Sequence, residues 1–387
     1  MSPIISTLTS NWTSIGSGGN YWIATVQSNL DMFPKGIGLD NNDNAYMVAT
    51  AETGSSQYMH LLVKFNSDGS FGYQRGLATG QVEYAEDCAG DTSGNMYVGG
   101  VGSIQGYNSF IAKYNSSGTV QWKKQIRNSC WLHCVKTANS GNQYYVGYIE
   151  GSNWPFNAND KQGYILKVNS SGVRQWDQLW YNGESNHIIN PRKSLAIDSS
   201  ENIYVAWRSK AGRQYAVQKL NSSGTVQWSI GPYIGSGQTI TPYALDIDSS
   251  GNVFVVGRDN TGGWQTFVTK FNNSGTQQWS RKLDNCYVES CAVDSAGNVY
   301  ATGRVNTSPH GIFVAKWNNS GTLQWKQQIT TNVEGYAYDI SIDSNDELLI
   351  AGTTKKLVSG KVSGIVIRLP NDGSISGTYS HWTIGNL

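Results

Sequence analysis

An all-β fold is predicted by three features of this 387-residue sequence. The first is a basic residue followed by an Asn-centred turn, found in seven places: KFNSDG at Lys64, KYNSSG at Lys113, KVNSSG at Lys167, KLNSSG at Lys219, KFNNSG at Lys270, KWNNSG at Lys316 and RLPNDG at Arg368. Successive units lie 46 to 54 residues apart, so one supersecondary unit is stacked many times. Within each unit, short apolar runs rich in Val, Ile, Tyr, Phe and Thr are bounded by Gly, Asn, Ser or Asp, which reads as strand and turn. No segment carries a helical period. Four antiparallel strands per unit, repeated seven times, give a seven-bladed β-propeller, a ring that leaves only short sheet edges exposed.

The strands follow in order within a unit. A first run ends in Asp before a tight turn, at Asp40, Asp91, Asp198, Asp248, Asp294 and Asp343; in the third unit Thr137 takes that place. A second run follows the turn, a third carries the Lys, and a fourth carries an aromatic residue nine positions on. That residue is Trp122, Trp176, Trp228, Trp279 or Trp325, with Tyr73 in the first unit, and such regularity predicts packing between blades. The Asp and the Lys are expected to form turn caps or a ring of ion pairs. Calcium binding by Asp246 and Asp248 is disfavoured, because the full calcium-ligand loop is missing.

Both chain ends resemble fourth strands. YWIATVQ from Tyr21 precedes the first Asp turn and is expected on the last blade, and the segment near Trp382 also looks like a fourth strand. One of the two ends, which one being left open, supplies an extra or substitute outer strand. Residues 1–20 are read as an extension and 21–387 as one propeller domain. The five cysteines are mostly explained by register: Cys88, Cys134 and Cys291 occupy a core position of the first strand. Cys130 and Cys286 precede two of these closely, so reduced thiols or a disulfide within each pair both remain open.

A formal net charge of +1 with 14% charged residues argues against nucleic-acid binding, which needs a basic stripe. No stretch approaches a membrane span, and the start has no basic leader with an apolar core, so synthesis in the cytoplasm without membrane insertion is expected. The sequons fall mostly in the repeated turns and are read as turn chemistry. HExxH, GxSxG, phosphate-loop and CxxC motifs are missing from the sequence, and its histidines are scattered. No enzyme activity, cofactor or metal is expected.

Function on such a scaffold is sought where the repeats differ. The connections from fourth to first and from second to third strand share one face and carry unusual side chains, among them Trp131, Trp154, His187 and Trp264. Exposed rings among Asn, Ser and Gly suit a sugar or a protein epitope. Arg208, Arg258 and Arg304 each stand six residues after the Asn that opens a second strand, in successive units. They are the candidate clamp for an anionic group.

The repeats resemble a seven-bladed propeller family with the pattern aDssGNvYvtG…f.aKyNssGt.qW over nearly all of residues 21–387. With the YWIAT strand at Tyr21 to Thr25, they are similar to structural proteins of marine bacteriophages. That resemblance implies a non-enzymatic virion protein on tail or capsid, whose partners are other virion proteins and a host-surface glycan or receptor. An intracellular interaction scaffold, or a sialidase-type enzyme using Glu184 with a neighbour, are the alternatives.

Overall fold

The computed structural model describes residues 9–15, 21–27, 30–54, 57–77, 83–103, 107–150, 161–180, 187–188, 193–209, 214–234, 240–260, 265–331, 333–355 and 361–387. Among the described residues there are seven sheets, each built on four antiparallel strands from inner to outer. Blade 1 spans Met32–Leu77, blade 2 Glu83–Asn128, blade 3 Cys130–Trp180, blade 4 His187–Ile234, blade 5 Ile240–Asp284 and blade 6 Cys286–Thr330. Blade 7 takes its three inner strands from Gly335–Leu369 and its fourth from Tyr21–Gln27, where the sequence placed that segment. Beyond it Thr9–Ile15 adds a fifth strand, so the sheet reaches into the residues read as an extension. The C-terminal strands Gly377–Tyr379 and Trp382–Asn386 leave blade 7 and extend the outer edge of blade 6.

Each Asp turn is a tight hairpin held by its own carboxylate. In blade 2, Asp91 N–H donates to Asn95 O, and Gly94 N–H returns to Asp91 O with Gly94 at φ 75°. One Asp91 carboxylate oxygen accepts from the Ser93 and Asn95 amides at 2.9 Å, and the other from the Tyr97 hydroxyl at 3.0 Å. Turn capping is thus the main work of the Asp. The paired Lys lies 3.9 Å from it in blades 1 and 6 and 4.0 Å in blade 5.

Blade 3 departs from the sequence reading. Ala138, rather than Thr137, holds the turn's first position, since its N–H bonds Asn142 O as Asp91 bonds Asn95 O. The register therefore moves by one: Cys134 stands level with Asp87, and Val135 takes the core place of Cys88. The missing turn carboxylate comes from the next blade. Glu201 accepts from the Tyr144 hydroxyl, the Asn142 amide and the Lys167 ammonium. It does so from a left-handed position, φ 59°, where the other Asp turns place Gly, Asp43 or Asp346. Asp43 and Asp346 likewise reach back to Ser344 and Ser295 of the preceding blade.

The second repeated turn joins the blades. Trp122, Trp176, Trp228, Trp279 and Trp325 each donate their indole N–H to the carbonyl of residue 170, 222, 273, 319 or 371 in the next blade, at 2.9 to 3.3 Å. Each ring also lies against that turn's left-handed Gly. A Cβ on Gly321 would stand 2.6 Å from the Trp279 ring, and one on Gly69 2.7 Å from Trp22. Trp22 pairs with Arg368 as Trp228 pairs with Lys219, so the N-terminal strand completes the circle. The Lys ammonium lies over a ring of its own second strand, 5.0 to 5.3 Å from Tyr46, Tyr97, Tyr144, Tyr204, Phe254 or Tyr300. All five cysteines are buried and free.

Two stability experiments test these contacts. Gly94 and Gly321 share a left-handed backbone, but a Cβ on Gly94 meets nothing nearer than 3.5 Å. Gly321→Ala should therefore lose about 1–3 kcal/mol more than Gly94→Ala in urea unfolding; equal losses would refute the inter-blade contact. For Glu201, burial raises the carboxyl pKa, but hydrogen bonds from Ser140, Tyr144, Lys167 and Asn142 outweigh it and hold the value at about 2. A carboxyl depressed on folding stabilises above its unfolded value of 4.5 and ceases to do so as pH falls toward 2. The stability gap between wild type and Glu201→Gln should narrow over that window; a constant gap would remove the carboxylate's assigned role.

Candidate functional site

Inner strands carry a β-bulge at one shared level, between Pro34 and Gly36, Ala85 and Asp87, Leu132 and Cys134, Pro242 and Ala244, Val288 and Ser290, and Ala337 and Asp339. A bulge frees one residue from the ladder and re-aims its side chain. Here it turns Lys35, Glu86, His133, Tyr243, Glu289 and Tyr338 toward neighbouring blades. His133 Nδ1 lies 3.5 Å from Glu86, and the Lys35 ammonium lies 5.8 Å from the centre of the Tyr338 ring.

The three arginines occupy one register of the second strand. Arg258 faces Thr241, Arg304 faces Tyr287 and Arg208 faces Ile188 of their inner strands. They do not form an equal clamp. Arg258 is closed: its guanidinium pairs with Glu289, its Nε–H donates to Val288 O at 3.2 Å, and it lies 4.2 Å over Tyr243 and 5.1 Å from Tyr287. For this residue the structural role prevails.

Arg304 is held differently. Its guanidinium lies 4.7 Å from the Tyr287 ring and 5.5 Å from the Tyr336 ring, half-buried, with no carboxylate partner among the described residues. Two rings thus orient a planar donor fork. Among the described residues, Arg208 Nη1–H reaches Thr241 Oγ1 at 3.4 Å and its buried Nε has no hydrogen-bond partner. Burial lowers its pKa, the expected cost of removing an uncompensated guanidinium from water. Rings and cations therefore alternate in an arc from Arg208 through Tyr243, Arg258, Tyr287 and Arg304 to Tyr336.

Trp131 stacks on Tyr148 at 5.9 Å and 14°, with His133 against the same Tyr, so it covers its own blade and stands apart from the arc. His187 lies on the short strand His187–Ile188, opposite Ser209 and next to the residue facing Arg208. His310 Nδ1 lies 3.1 Å from Val305 O and its ring leans on Tyr336, whereas the His133 ring lies against Glu86 and Tyr148. Trp154, Trp264 and Glu184 lie outside the described residues. Tyr243 and Tyr336 were not foreseen; their signal was an aromatic residue beside the inner-strand bulge.

A second constellation, also unforeseen, fills the central channel. Lys193 of blade 4 spans the axis to pair with Asp87 of blade 2 and, at 2.8 Å, with Asp339 of blade 7. Asp87 also accepts from Val135 N–H at 2.9 Å, and Asp339 from Ile37 N–H at 2.8 Å and Ser290 Oγ–H at 2.8 Å. These buried charges are paired and hydrogen-bonded, as burial demands. Asp246 enters the channel while Asp248 caps its own turn.

Arg258 and Arg304 differ in a measurable way. Arg258→Gln strands the Glu289 carboxylate and should cost about 1–3 kcal/mol in urea unfolding. Arg304→Gln forfeits ring contacts alone and should cost about 1 kcal/mol or less. Equal losses would mean that both guanidinium groups are structural.

No protein-family profile and no curated protein matches this chain. Among solved structures, the Dos1 propeller is similar at a TM-score of 0.55 and 8% identity, covering 88% of this chain and 93% of that one. YCF48 bound to D1 peptide is similar at 0.55 and 12% identity, covering 93% and 100%. At these identities the likeness concerns the fold, and it agrees with the seven four-stranded antiparallel blades described above.

Proposed function

We propose that this chain is a non-enzymatic binding propeller, a structural or accessory protein of a virus particle, which takes an acidic group of its partner on the variable-loop face. The observation that carries the binding reading is the Arg304 fork, set between Tyr287 and Tyr336 with no carboxylate partner among the described residues. Arg208, desolvated and short of acceptors, extends the same arc. A guanidinium oriented in this way favours carboxylate or sulfate, through paired hydrogen bonds in its plane. A propeller of like fold solved with a peptide supports partner binding as a use of this scaffold. The viral setting rests on the resemblance of the repeats and of the strand at Tyr21. An acidic glycan of the host envelope is the partner this reading favours.

Binding to an array of sulfated, sialylated and neutral glycans, with acidic peptides alongside, tests it. Acidic glycans should be retained, with retention falling as salt rises. Arg304→Gln and Arg208→Gln should each weaken it about tenfold, equivalent to about 1.4 kcal/mol. Retention of acidic peptides instead of glycans would favour the interaction scaffold, and unchanged glycan binding by both variants would refute the site.

A further inference from the structure

From the Lys193 crossbar toward the Asp turns, the central channel holds a chamber of about 270 Å³ lined from all seven blades. Its width comes from small side chains. Two residues beyond the bulge level the inner strands place Gly38, Ala89, Ala292 and Ser341, but Lys136 in blade 3 and Asp246 in blade 5. These two carry opposite charge into an otherwise small-residue wall.

Their bonding is incomplete. Among the described residues the Lys136 ammonium has no hydrogen-bond acceptor and no carboxylate within 4 Å, although both residues keep part of their surface open to the chamber. Asp246 accepts from the Val293 N–H at 2.9 Å through one oxygen. Burial disfavours the Lys136 charge, but the carboxylates of Asp246, Asp87 and Asp339 around the same space outweigh it and push its pKa up, so the ammonium stays charged while no acceptor among the described residues touches it. The chamber's own charges restrict what that can be. A simple anion meets the carboxylates of Asp87, Asp246 and Asp339, and a simple cation meets Lys136 and Lys193. A ligand bearing both signs satisfies both sides. The volume lies near the lower end for small-molecule sites, about 300–1,000 Å³, and suits a molecule of amino-acid size.

We propose that this chamber binds a small zwitterion, with its carboxylate on Lys136 and its ammonium on Asp246. Calorimetric titration and thermal unfolding of the intact protein test it, using glycine, β-alanine, γ-aminobutyrate and glycine betaine at millimolar concentration, with acetate and methylammonium as single-charge controls. At least one zwitterion should bind saturably and raise Tm where neither control does. Lys136→Met and Asp246→Asn should each weaken binding about tenfold or more. Because altering a channel charge also affects folding, Ala89→Leu provides a second variant that leaves both charges in place and fills the chamber. It should abolish binding. Failure of all four zwitterions, an equal effect of acetate or methylammonium, or undiminished binding by Ala89→Leu would overturn the proposal.

Discussion

The ring depends on one contact repeated around it: an indole of one blade clasped by the left-handed glycine turn of the next. The turn must be left-handed to close its hairpin, and its glycine must lack a Cβ to admit the ring, so one residue type serves two constraints. The indole N–H then satisfies a carbonyl that the turn leaves unpaired. Around these contacts, the Lys of each unit adds a cation over its own Tyr or Phe. In Lys167, Lys316 and Arg368 it also adds a bond to the next blade's turn. Blade count follows from how far each such contact rotates one sheet against the next.

Most of this architecture was legible because it is written several times over. Seven Lys or Arg units and the aromatic residue nine positions later gave blade number, strand order and the packing role of the Trp. What was lost was lost at one-residue precision. In blade 3 the turn has Ala138 where others have Asp, and reading Thr137 there shifted Cys134 off its true level beside Asp87. On a strand such a slip exchanges the two faces, so it conceals which side chains point into the channel. Lys136 consequently passed as an ordinary member of its run, Asp87 and Asp339 carried no mark that set them apart from theirs, and Lys193 sits in a blade whose inner strand lies partly outside the described residues.

The arginine arc shows the same division. The common register of Arg208, Arg258 and Arg304 followed from strand counting and is observed. Their unlike fates did not follow, because Glu289, which closes Arg258, belongs to the next blade and is aimed by a bulge that leaves no mark in composition. Repetition informs about what all blades share. The chemistry of a site sits in the terms that break the repetition, and those are set by contacts between blades.

The way the ring closes has a kinetic consequence. Tyr21–Gln27 pairs on one edge with Thr9–Ile15 and on the other with Val362–Leu369, so a hairpin made early must keep that second edge unpaired until almost the whole chain has been synthesised. Six blades can assemble in sequence from neighbouring segments, while the seventh requires closure of a loop of more than three hundred residues, an entropic cost that grows only slowly with length. Folding should therefore have a late, rate-limiting docking step that involves few residues. The apolar strand waiting for it, with Trp22, Ile23 and Val26, is the segment most exposed to mispairing with another chain.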